Sequence, residues 1–199
     1  MVGTPTSKYL EDEKYAGKKR LAEKEVVVPI CFGTVAFWLG KKADEFHSHR
    51  WTVYVRSPTG QDLSHVISKV VFKLHDSFVN PLRTFDKPPY ELSETGWGEF
   101  EISINIYFTE DSGEKPVEIF HPLKLYLESG ADKQPKRPPI TAGRSPPVIT
   151  EKYDELVFSE PIEDFYERVT AHVPVAAPNT DVLQYLPVQS DREELQKMA

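Results

Sequence analysis

Two short segments of this chain place aromatic rings beside small polar residues in what the pattern predicts to be loops. One is HDSF at residues 75–78, and the other is TGWGEF at residues 95–100. A solvated loop normally avoids large rings, so rings in both segments indicate a surface that holds a ligand. Gly96 and Gly98 flank Trp97, and glycine can adopt a positive φ and let peptide groups approach a ligand closely. The two segments therefore predict a binding site with an exposed indole.

An enzyme active site is a weaker interpretation of the histidines and their neighbours. His75, Asp76 and Ser77 have the residue types of a hydrolytic triad, but consecutive residues do not readily form the relay of nucleophile, base and orienting group. His47 and His49 would share one side of a strand, yet no cysteine or carboxylate cluster completes a metal-ligand set. The sequence also lacks a G-x-S-x-G elbow, a phosphate-binding glycine loop and a dinucleotide fingerprint. We therefore expect no catalytic residue and no obligatory metal or organic cofactor.

Two further motifs accompany these loops along the chain. HSHRWTVYVR spans residues 47–56, and KPPYE spans residues 87–91. In this order the four motifs resemble the YEATS domain, and the resemblance covers residues 26–172. Members of that family read acylated lysine on histone tails and are built on an immunoglobulin-like sandwich. Among its branches, WGEF at residues 97–100 and YDE at residues 153–155 look most like the subunit shared by histone acetyltransferase and variant-histone exchange complexes.

The resemblance implies a set of residues that bind the acylated side chain. Phe78 and Trp97 look like the rings that sandwich it, while His75 and Phe100 look like further walls or supports. Ser77 matches the hydroxyl that hydrogen-bonds the ligand amide, and the backbone N–H of Trp97 would meet the acyl carbonyl. With a rim histidine and a loop glycine added, the implied set is His47, His75, Ser77, Phe78, Trp97, Gly98 and Phe100.

An acylated lysine has physical requirements that such a slot would meet. Its alkyl stem needs apolar walls, and its neutral amide needs one donor and one acceptor. The ammonium of unmodified lysine would lose its hydration between two rings, and cation–π attraction returns only about 0.5–2 kcal/mol. We therefore expect unmodified lysine to be rejected. A planar crotonyl group stacks more fully than acetyl, but a ring contact is worth only about 0.5–1.5 kcal/mol, which predicts a modest preference.

Each of these residues also has a plainer structural interpretation. Phe100 is in phase with the isoleucines that follow it and could belong to the core, as could Phe78 just past a strand. Trp97 could close one end of a sandwich, and Ser77 taken singly is a common turn former. Only the complete set of motifs favours a binding site.

Composition and charge are compatible with this interpretation. The 199 residues are 39% apolar and 12% aromatic, which suffices for one core with tails left over. The net charge of −7 disfavours a nucleic-acid binder and suits a basic peptide partner, although ordinary solubility explains it equally well. Cys31 is the only cysteine, which excludes an intramolecular disulfide. No apolar run reaches the roughly 18 to 20 residues of a membrane span. We expect an intracellular protein without a membrane partner, and the resemblance implies the nucleus.

Alternating apolar residues predict several short strands separated by turns. Residues 26–40 predict a long bent edge strand, because Pro29 restricts the start of the strand to a sheet edge or a bulge. Residues 51–56 predict a half-buried strand, and residues 100–108 show the clearest alternation. Further strands are predicted at residues 70–74, 117–126 and 148–158. The pattern is that of an all-β protein, a β-sandwich with a short C-terminal helix that opens near Pro161. The resemblance implies that this sandwich is immunoglobulin-like.

Composition divides the chain into three parts. Residues 1–25 are charged and lack a sustained apolar face, which predicts a flexible arm. Residues 26–172 form the YEATS-like domain, with a proline-rich excursion at residues 128–147. Residues 173–199 predict a linker and the start of a C-terminal helix, because SDRE at residues 190–193 is a capping-box pattern. In the resembled branch, such a helical segment joins the subunit to its complex.

We interpret the sequence as a histone reader of acetyl-lysine or crotonyl-lysine that acts as a subunit of a chromatin-modifying or remodelling complex. Its expected partners are an acylated histone-tail peptide and other subunits of that complex. The alternative is an immunoglobulin-like scaffold that assembles a transcription complex without reading a modification. Such a scaffold does not require the set formed by Ser77, Phe78 and Trp97. A weak, salt-sensitive DNA contact is a secondary expectation and would use the basic residues Lys41, Lys42, Arg50, Arg56, Lys69 and Lys73.

Overall fold

The protein folds as two antiparallel sheets packed face to face, in a computed structural model that describes residues 15–129, 134–136 and 145–187. The described strands are β1 (Glu25–Trp38), β2 (His49–Arg56), β3 (Ile67–Lys73), β4 (Leu82–Phe85), β5 (Tyr90–Gly96), β6 (Glu101–Phe108), β7 (Val117–Pro122), β8 (Leu127–Ser129), β9 (Gln134–Lys136) and β10 (Val148–Ser159). The first sheet has the order β10-β1-β2-β5, and the second has the order β4-β3-β6-β7. β8 and β9 form a separate pair. The predicted all-β, immunoglobulin-like sandwich is confirmed.

The predicted short helix is also present. α1 (Glu163–Thr170) follows β10, and its residue Phe165 is fully buried against the sandwich. Single 3₁₀ turns occur at Gly40–Lys42, Glu110–Ser112 and Leu183–Tyr185. Among the residues that the structure describes, no helix combines the length and the apolar character needed to cross a membrane.

The core lies between the two sheets and comes from alternate residues of each strand. On β6 the buried side chains are Ile102, Ile104 and Ile106, and on β3 they include Val70 and Phe72. These five side chains have no exposed surface. The period-two alternation therefore predicted the inward face of both strands correctly.

β1 lies inside the first sheet, so the prediction of an edge strand is wrong. Its residues 25–36 pair with β10, and its residues 31–38 also pair with β2. Pro29 precedes the stretch that β1 shares with β2. One side of the strand is open at that point, which is where a sheet tolerates a residue without an amide hydrogen.

β2 is buried on both faces, so the prediction of a half-buried strand is also wrong. The side chains that the pattern places outward, Thr52, Tyr54 and Arg56, expose only 4%, 2% and 9% of their surface. The cover is a segment after α1, from which Val182 and Leu186 pack around Tyr54. Alternation within β2 cannot reveal this cover, because the covering residues come from the far end of the chain.

Gly33 allows two side chains of β2 to reach across β1 to β10. Glu151 on β10 accepts hydrogen bonds of 2.8 Å from the Tyr54 hydroxyl and from Nε and Nη2 of Arg56. A Cβ atom at Gly33 would lie 2.2 Å from the Thr150 carbonyl oxygen and 2.9 Å from the Tyr54 hydroxyl. The buried ion pair therefore depends on a glycine at this position.

A buried histidine joins the two sheets. His121 on β7 forms hydrogen bonds through Nε2 with the hydroxyls of Thr34 on β1, at 3.3 Å, and Thr150 on β10, at 3.2 Å. The ring packs edge-on against Phe32. Burial, followed by the charge of Lys152, lowers the pKa of His121 from 6.5 to about 4. His121 is therefore neutral in the folded protein at physiological pH.

The sequence pattern misses β4 and β5 and misplaces the end of β7. β5 includes residues 94–96, which the sequence assigns to a loop, and β7 ends at Pro122 rather than at the predicted residue 126. Much of β5 consists of polar residues with low strand propensity. β5 is nevertheless a strand, because its residues from Tyr90 to Gly96 pair with β2.

The segments assigned to the arm and the linker also contact the sandwich. Arg20 forms an isolated β-bridge with Ile162, and the Tyr15 hydroxyl donates to the Glu110 carbonyl oxygen at 2.8 Å. In the linker, Ala176 forms a β-bridge with Gln61. Residues 1–14, the predicted capping box at residues 190–193 and residues 130–133 and 137–144 of the proline-rich excursion lie outside the described residues.

Candidate functional site

The two predicted loops meet at one end of the sandwich. The loop of residues 74–81 connects β3 to β4, and the loop of residues 97–100 connects β5 to β6. The end of β3 pairs with the beginning of β6, at Lys73 and Ser103. This pairing places the last residue before the 74–81 loop beside the first residues after the 97–100 loop.

A cluster of three rings forms the base of this end. The buried Trp51 packs edge-on against Phe78, with ring centroids 6.0 Å apart, and against Phe100, at 5.8 Å. Phe78 and Phe100 lie 5.6 Å apart, and His75 lies 6.1 Å from Phe100. Phe78 and Phe100 are partly buried and pack against the core. Each therefore supports the core with one side and leaves the remaining surface accessible at the site.

Trp97 is the exposed ring of the site. Its side chain leaves 61% of its surface accessible, which excludes the alternative that it closes the end of the sandwich. Within the described residues, the indole has no ring neighbour and the Trp97 amide has no intramolecular acceptor. Both the face of the indole and the backbone N–H are therefore free for a ligand.

Gly96 and Gly98 do not use the positive φ that glycine permits. In the described residues the positive-φ glycines are Gly17, Gly40, Gly60 and Gly113. A Cβ atom at Gly96 would lie at ordinary contact distance from Trp51 and Phe78, and one at Gly98 would meet no atom within 4 Å. The two glycines thus leave space around Trp97 without requiring an unusual backbone conformation.

Hydrogen bonds within the first loop orient the Ser77 hydroxyl. The backbone N–H of Ser77 donates to His75 Nδ1 at 3.2 Å, and Ser77 Oγ lies 2.9 Å from the same nitrogen. Because an amide can only donate, Nδ1 is the acceptor and the ring proton resides on Nε2. The hydroxyl must then also donate to Nδ1. Its oxygen lone pairs remain available to a donor on a ligand.

The second loop is held to the chain that follows β7. Glu99 Oε1 accepts hydrogen bonds from the amides of Leu125 at 2.7 Å and Tyr126 at 3.3 Å. The Phe100 carbonyl oxygen accepts from the amide of Leu123 at 2.8 Å. These bonds fix the position of the loop that carries Trp97. The side of the loop nearest β2 is held by Ser48, whose hydroxyl donates to the Gly96 carbonyl oxygen at 3.3 Å.

His47 precedes β2 by two residues and makes no ring contact with the ring cluster among the described residues; its hydrogen bonds join it to Asp44. Its ring Nδ1 lies 3.0 Å from Asp44 Oδ1, and its amide donates to the same oxygen at 2.6 Å. The hydrogen bond of the His47 ring, together with that of the Phe46 amide, lowers the pKa of Asp44. The adjacent His49 is buried, where it contacts the Tyr126 ring edge-on at 5.1 Å, so it is a structural residue.

The arrangement provides no catalytic relay or metal site within the described residues. His75 and Ser77 are in hydrogen-bond contact, but Asp76 makes no hydrogen bond to either side chain in that part of the structure. No group of three or more histidine, cysteine, aspartate or glutamate side chains in the described ranges is placed to hold a metal ion. The basic face expected for DNA contact is also reduced, because Arg56 is buried beside Glu151 and cannot reach a phosphate.

The sequence interpretation missed Trp51 as part of the site. Alternation places this residue inward on β2, and the structure confirms that it is buried. Nothing in its local sequence shows that it lies beneath Phe78 and Phe100, because those contacts join β2 to two loops distant in sequence. A buried tryptophan at the end of a strand, beside a predicted ring-bearing loop, is the signal that could have indicated it.

Comparison with known proteins identifies relatives of this chain. A profile of the YEATS family matches residues 46–127. The chain is 45% identical over 186 residues to transcription initiation factor TFIID subunit 14b of Arabidopsis thaliana, covering 94% of this chain and 65% of that protein. It is 42% identical to the AF-9 homolog of Candida glabrata, covering 75% of this chain and 72% of that protein.

A solved structure shows the same likeness. The crystal structure of the Yaf9 YEATS domain bound to H3K27ac is 38% identical to this chain, with a TM-score of 0.62. The match covers 77% of this chain and 99% of that one.

Proposed function

Because this chain belongs to the YEATS family, we propose that it is a non-enzymatic reader of acylated lysine on histone tails. One observation carries the proposal: the exposed Trp97 indole, whose amide N–H has no acceptor among the described residues, lies in the loop that meets the Ser77–Phe78 loop. A Yaf9 YEATS domain with this fold is solved in complex with H3K27ac, which identifies an acylated lysine as the ligand class.

Each part of an acylated lysine has a counterpart in this arrangement. The Trp97 face and the exposed part of Phe78 provide apolar surface for the alkyl stem and the acyl group. The Trp97 amide donates to the acyl carbonyl, and the Ser77 oxygen accepts from the side-chain amide N–H. Because the Ser77 hydroxyl donates to His75 Nδ1, the lone pairs of the hydroxyl oxygen point away from that hydrogen bond and can accept from the ligand.

Unmodified lysine is rejected for a reason of solvation. Its ammonium has three donors, and the slot offers a single hydroxyl acceptor with no unpaired carboxylate assigned to it. Cation–π attraction to the indole returns about 0.5–2 kcal/mol, which is less than the desolvation penalty of several kcal/mol. The side chain can therefore bind only when acylation has removed its charge. A crotonyl group should bind modestly more tightly than acetyl, because it stacks more fully on the rings.

The cellular setting is a chromatin or transcription complex in the nucleus. The chain spans 65% of the length of the TFIID subunit that it matches, so assembly with other subunits is part of this proposal. The segment expected to join them begins near residue 190. A short peptide should bind with micromolar or weaker affinity, because one side chain buries little area against the entropy of association. Avidity within the complex then supplies targeting.

Calorimetric titration tests this function with three matched histone H3 tail peptides that carry the same lysine unmodified, acetylated or crotonylated. We expect heat of binding only with the two acylated peptides. Trp97→Ala should abolish that binding while leaving the melting temperature within about 2 °C, because an exposed side chain contributes little to stability. Tyr153→Ala, which removes a ring that is 47% exposed on β10, is the matched control and should bind normally.

Two results would overturn the proposal. Equal binding of the acylated peptides by Trp97→Ala would eliminate the indole wall. Equal binding of all three peptides by the unaltered protein, or binding of none, would favour the scaffold alternative.

A further inference from the structure

We propose that Arg83 is a positioning residue that fixes the 74–81 loop against β5 and thereby sets the width of the acyl-lysine slot. The inference rests on the proposed function and adds to it a residue outside the ring cluster. Arg83 contacts neither Ser77 nor Trp97 among the hydrogen bonds of the described residues. It acts on both loops through their backbones and through Glu94.

Register places Arg83 and Glu94 at the side of the sandwich that borders the site. Arg83 on β4 is opposite Phe72, and Glu94 on β5 is opposite Trp51. Phe72 and Trp51 are fully buried, and register partners share a face, so Arg83 and Glu94 both point between the sheets. β4 and β5 are the edge strands that contact each other there.

The ion pair joins edge strand β4 of one sheet to edge strand β5 of the other. Arg83 Nη1 lies 2.9 Å from Glu94 Oε1, and each side chain is 26% exposed. A pair that is this far removed from water is screened less by salt than a surface pair. Glu94 belongs to the strand that runs directly into Trp97. The position of the carboxylate is therefore tied to the position of the indole.

The remaining donors of the same guanidinium hold the first loop. Nε donates to the Asn80 carbonyl oxygen at 2.5 Å, and Nη2 donates to the Val79 carbonyl oxygen at 2.7 Å. Asn80 adopts the left-handed conformation, with φ of 53°, which turns these carbonyls toward Arg83. Val79 and Asn80 directly follow Phe78. One planar group thus links the backbone beside Phe78 to the strand that carries Trp97.

Only arginine can make this link. Its five donors lie in a rigid plane, so Nε, Nη1 and Nη2 can bond to acceptors on three sides at fixed angles. The ammonium of lysine has no such fork and can satisfy the carboxylate or the carbonyls, but not both in the same geometry. A purely stabilising ion pair would tolerate lysine, whereas a positioning residue would not.

Peptide titration with substituted proteins tests the role of Arg83. For an H3 tail peptide with one acetyl-lysine, Arg83→Met should raise Kd about tenfold, since it removes three charge-assisted hydrogen bonds beside the slot. Arg83→Lys should raise Kd about fivefold, and it keeps the charge in case the methionine variant folds poorly. Glu94→Gln should raise Kd about threefold, because Arg83 retains both carbonyl bonds.

Arg168→Met is the matched control. Its guanidinium also holds a carboxylate, Asp111, and a backbone carbonyl, that of His65, but at the α1 side of the sandwich. This variant should lose stability to a similar extent and keep the Kd of the unaltered protein. A second readout needs no ligand: in Arg83→Met, the amides of Leu74 and Phe78, which bond within the loop, should exchange hydrogen faster.

The outcomes separate this inference from the function on which it rests. If the unaltered protein binds and Arg83→Met binds equally well, with unchanged amide exchange, the positioning role is refuted while the reader function stands. If Arg83→Met and Arg168→Met weaken binding equally, the effect is general destabilisation and the inference is again refuted. If the unaltered protein fails to bind the acetylated peptide, the proposed function is refuted, and so is this inference, which rests on it.

Discussion

Replacement of His121 should flatten the dependence of stability on pH. In the folded protein, burial and Lys152 lower the pKa of His121 from 6.5 to about 4, whereas in the unfolded chain the imidazole returns to its ordinary value. Between these two values the unfolded chain binds a proton that the folded protein excludes. The contribution of His121 to the free energy of unfolding is therefore fully present above pH 6.5 and is lost as the pH falls toward 4.

The magnitude follows from the interval between the two pKa values. Each pH unit corresponds to about 1.4 kcal/mol, so the full interval from 6.5 to about 4 corresponds to about 3 kcal/mol. Between pH 7.5 and pH 5.0, about 2 kcal/mol should be lost. His65, whose pKa is also lowered by burial and by the stacked His172, adds to the slope of the unaltered protein.

Urea unfolding followed by tryptophan fluorescence at pH 7.5 and 5.0 measures this loss. His121→Gln retains a hydrogen-bonding side chain and cannot titrate, so its pH-dependent loss should be smaller by about 2 kcal/mol. Phe120→Gln alters an exposed side chain on the same strand, leaves every titratable group in place and should keep the slope of the unaltered protein. The same slope in His121→Gln and in the unaltered protein would show that burial does not exclude the proton.

Three further substitutions test the packing of the first sheet. Gly33→Ala should destabilise by about 3 kcal/mol, because its Cβ would lie 2.2 Å from the Thr150 carbonyl oxygen, which belongs to backbone that cannot move freely. Arg56→Met should cost about 3 kcal/mol, because the Glu151 carboxylate, whose side chain is only 16% exposed, would lose its ion-pair partner. Leu186→Ala should cost about 2 kcal/mol by removing part of the cover over β2. Thermal unfolding measures all three.

Exposed counterparts provide the controls for these substitutions. Gly98→Ala, Tyr153→Phe and Val157→Ala alter a glycine with open space, a hydroxyl in an exposed pair and an exposed apolar side chain. Each should change the free energy of unfolding by less than about 0.5 kcal/mol. If the buried substitutions cause no greater loss than these controls, the packing account of the first sheet is incorrect.

Local patterns in the sequence were sufficient to predict which faces of β3 and β6 point toward the core. The alternation at residues 102, 104 and 106 and at residues 70 and 72 identifies buried side chains, because a strand turns successive residues to opposite faces. The glycines beside Trp97 similarly favoured exposure of the indole, although neither adopts the positive φ that glycine permits. These features depend on neighbouring residues alone.

Features that depend on distant residues were not predictable in this way. Pro29 favours an edge position for β1, yet β1 lies between two partner strands over residues 31–36. The pattern predicts that Tyr54 and Arg56 face solvent, yet Val182 and Leu186 pack around Tyr54 and Arg56 donates to the Pro187 carbonyl oxygen. Strand order and cover are properties of chain topology, which leaves no periodic signal in the strand concerned.

By itself, the sequence determined an all-β sandwich, the inward faces of β3 and β6 and the two loops that carry the candidate ligand-binding rings. The tertiary structure alone decided that Trp51 supports Phe78 and Phe100, and that Arg83 reaches Glu94 between the sheets. The physical reason is the range of each interaction. Periodicity reports whether a side chain faces water or core, whereas a site is assembled from side chains on strands that the fold, and not the order of the chain, brings together.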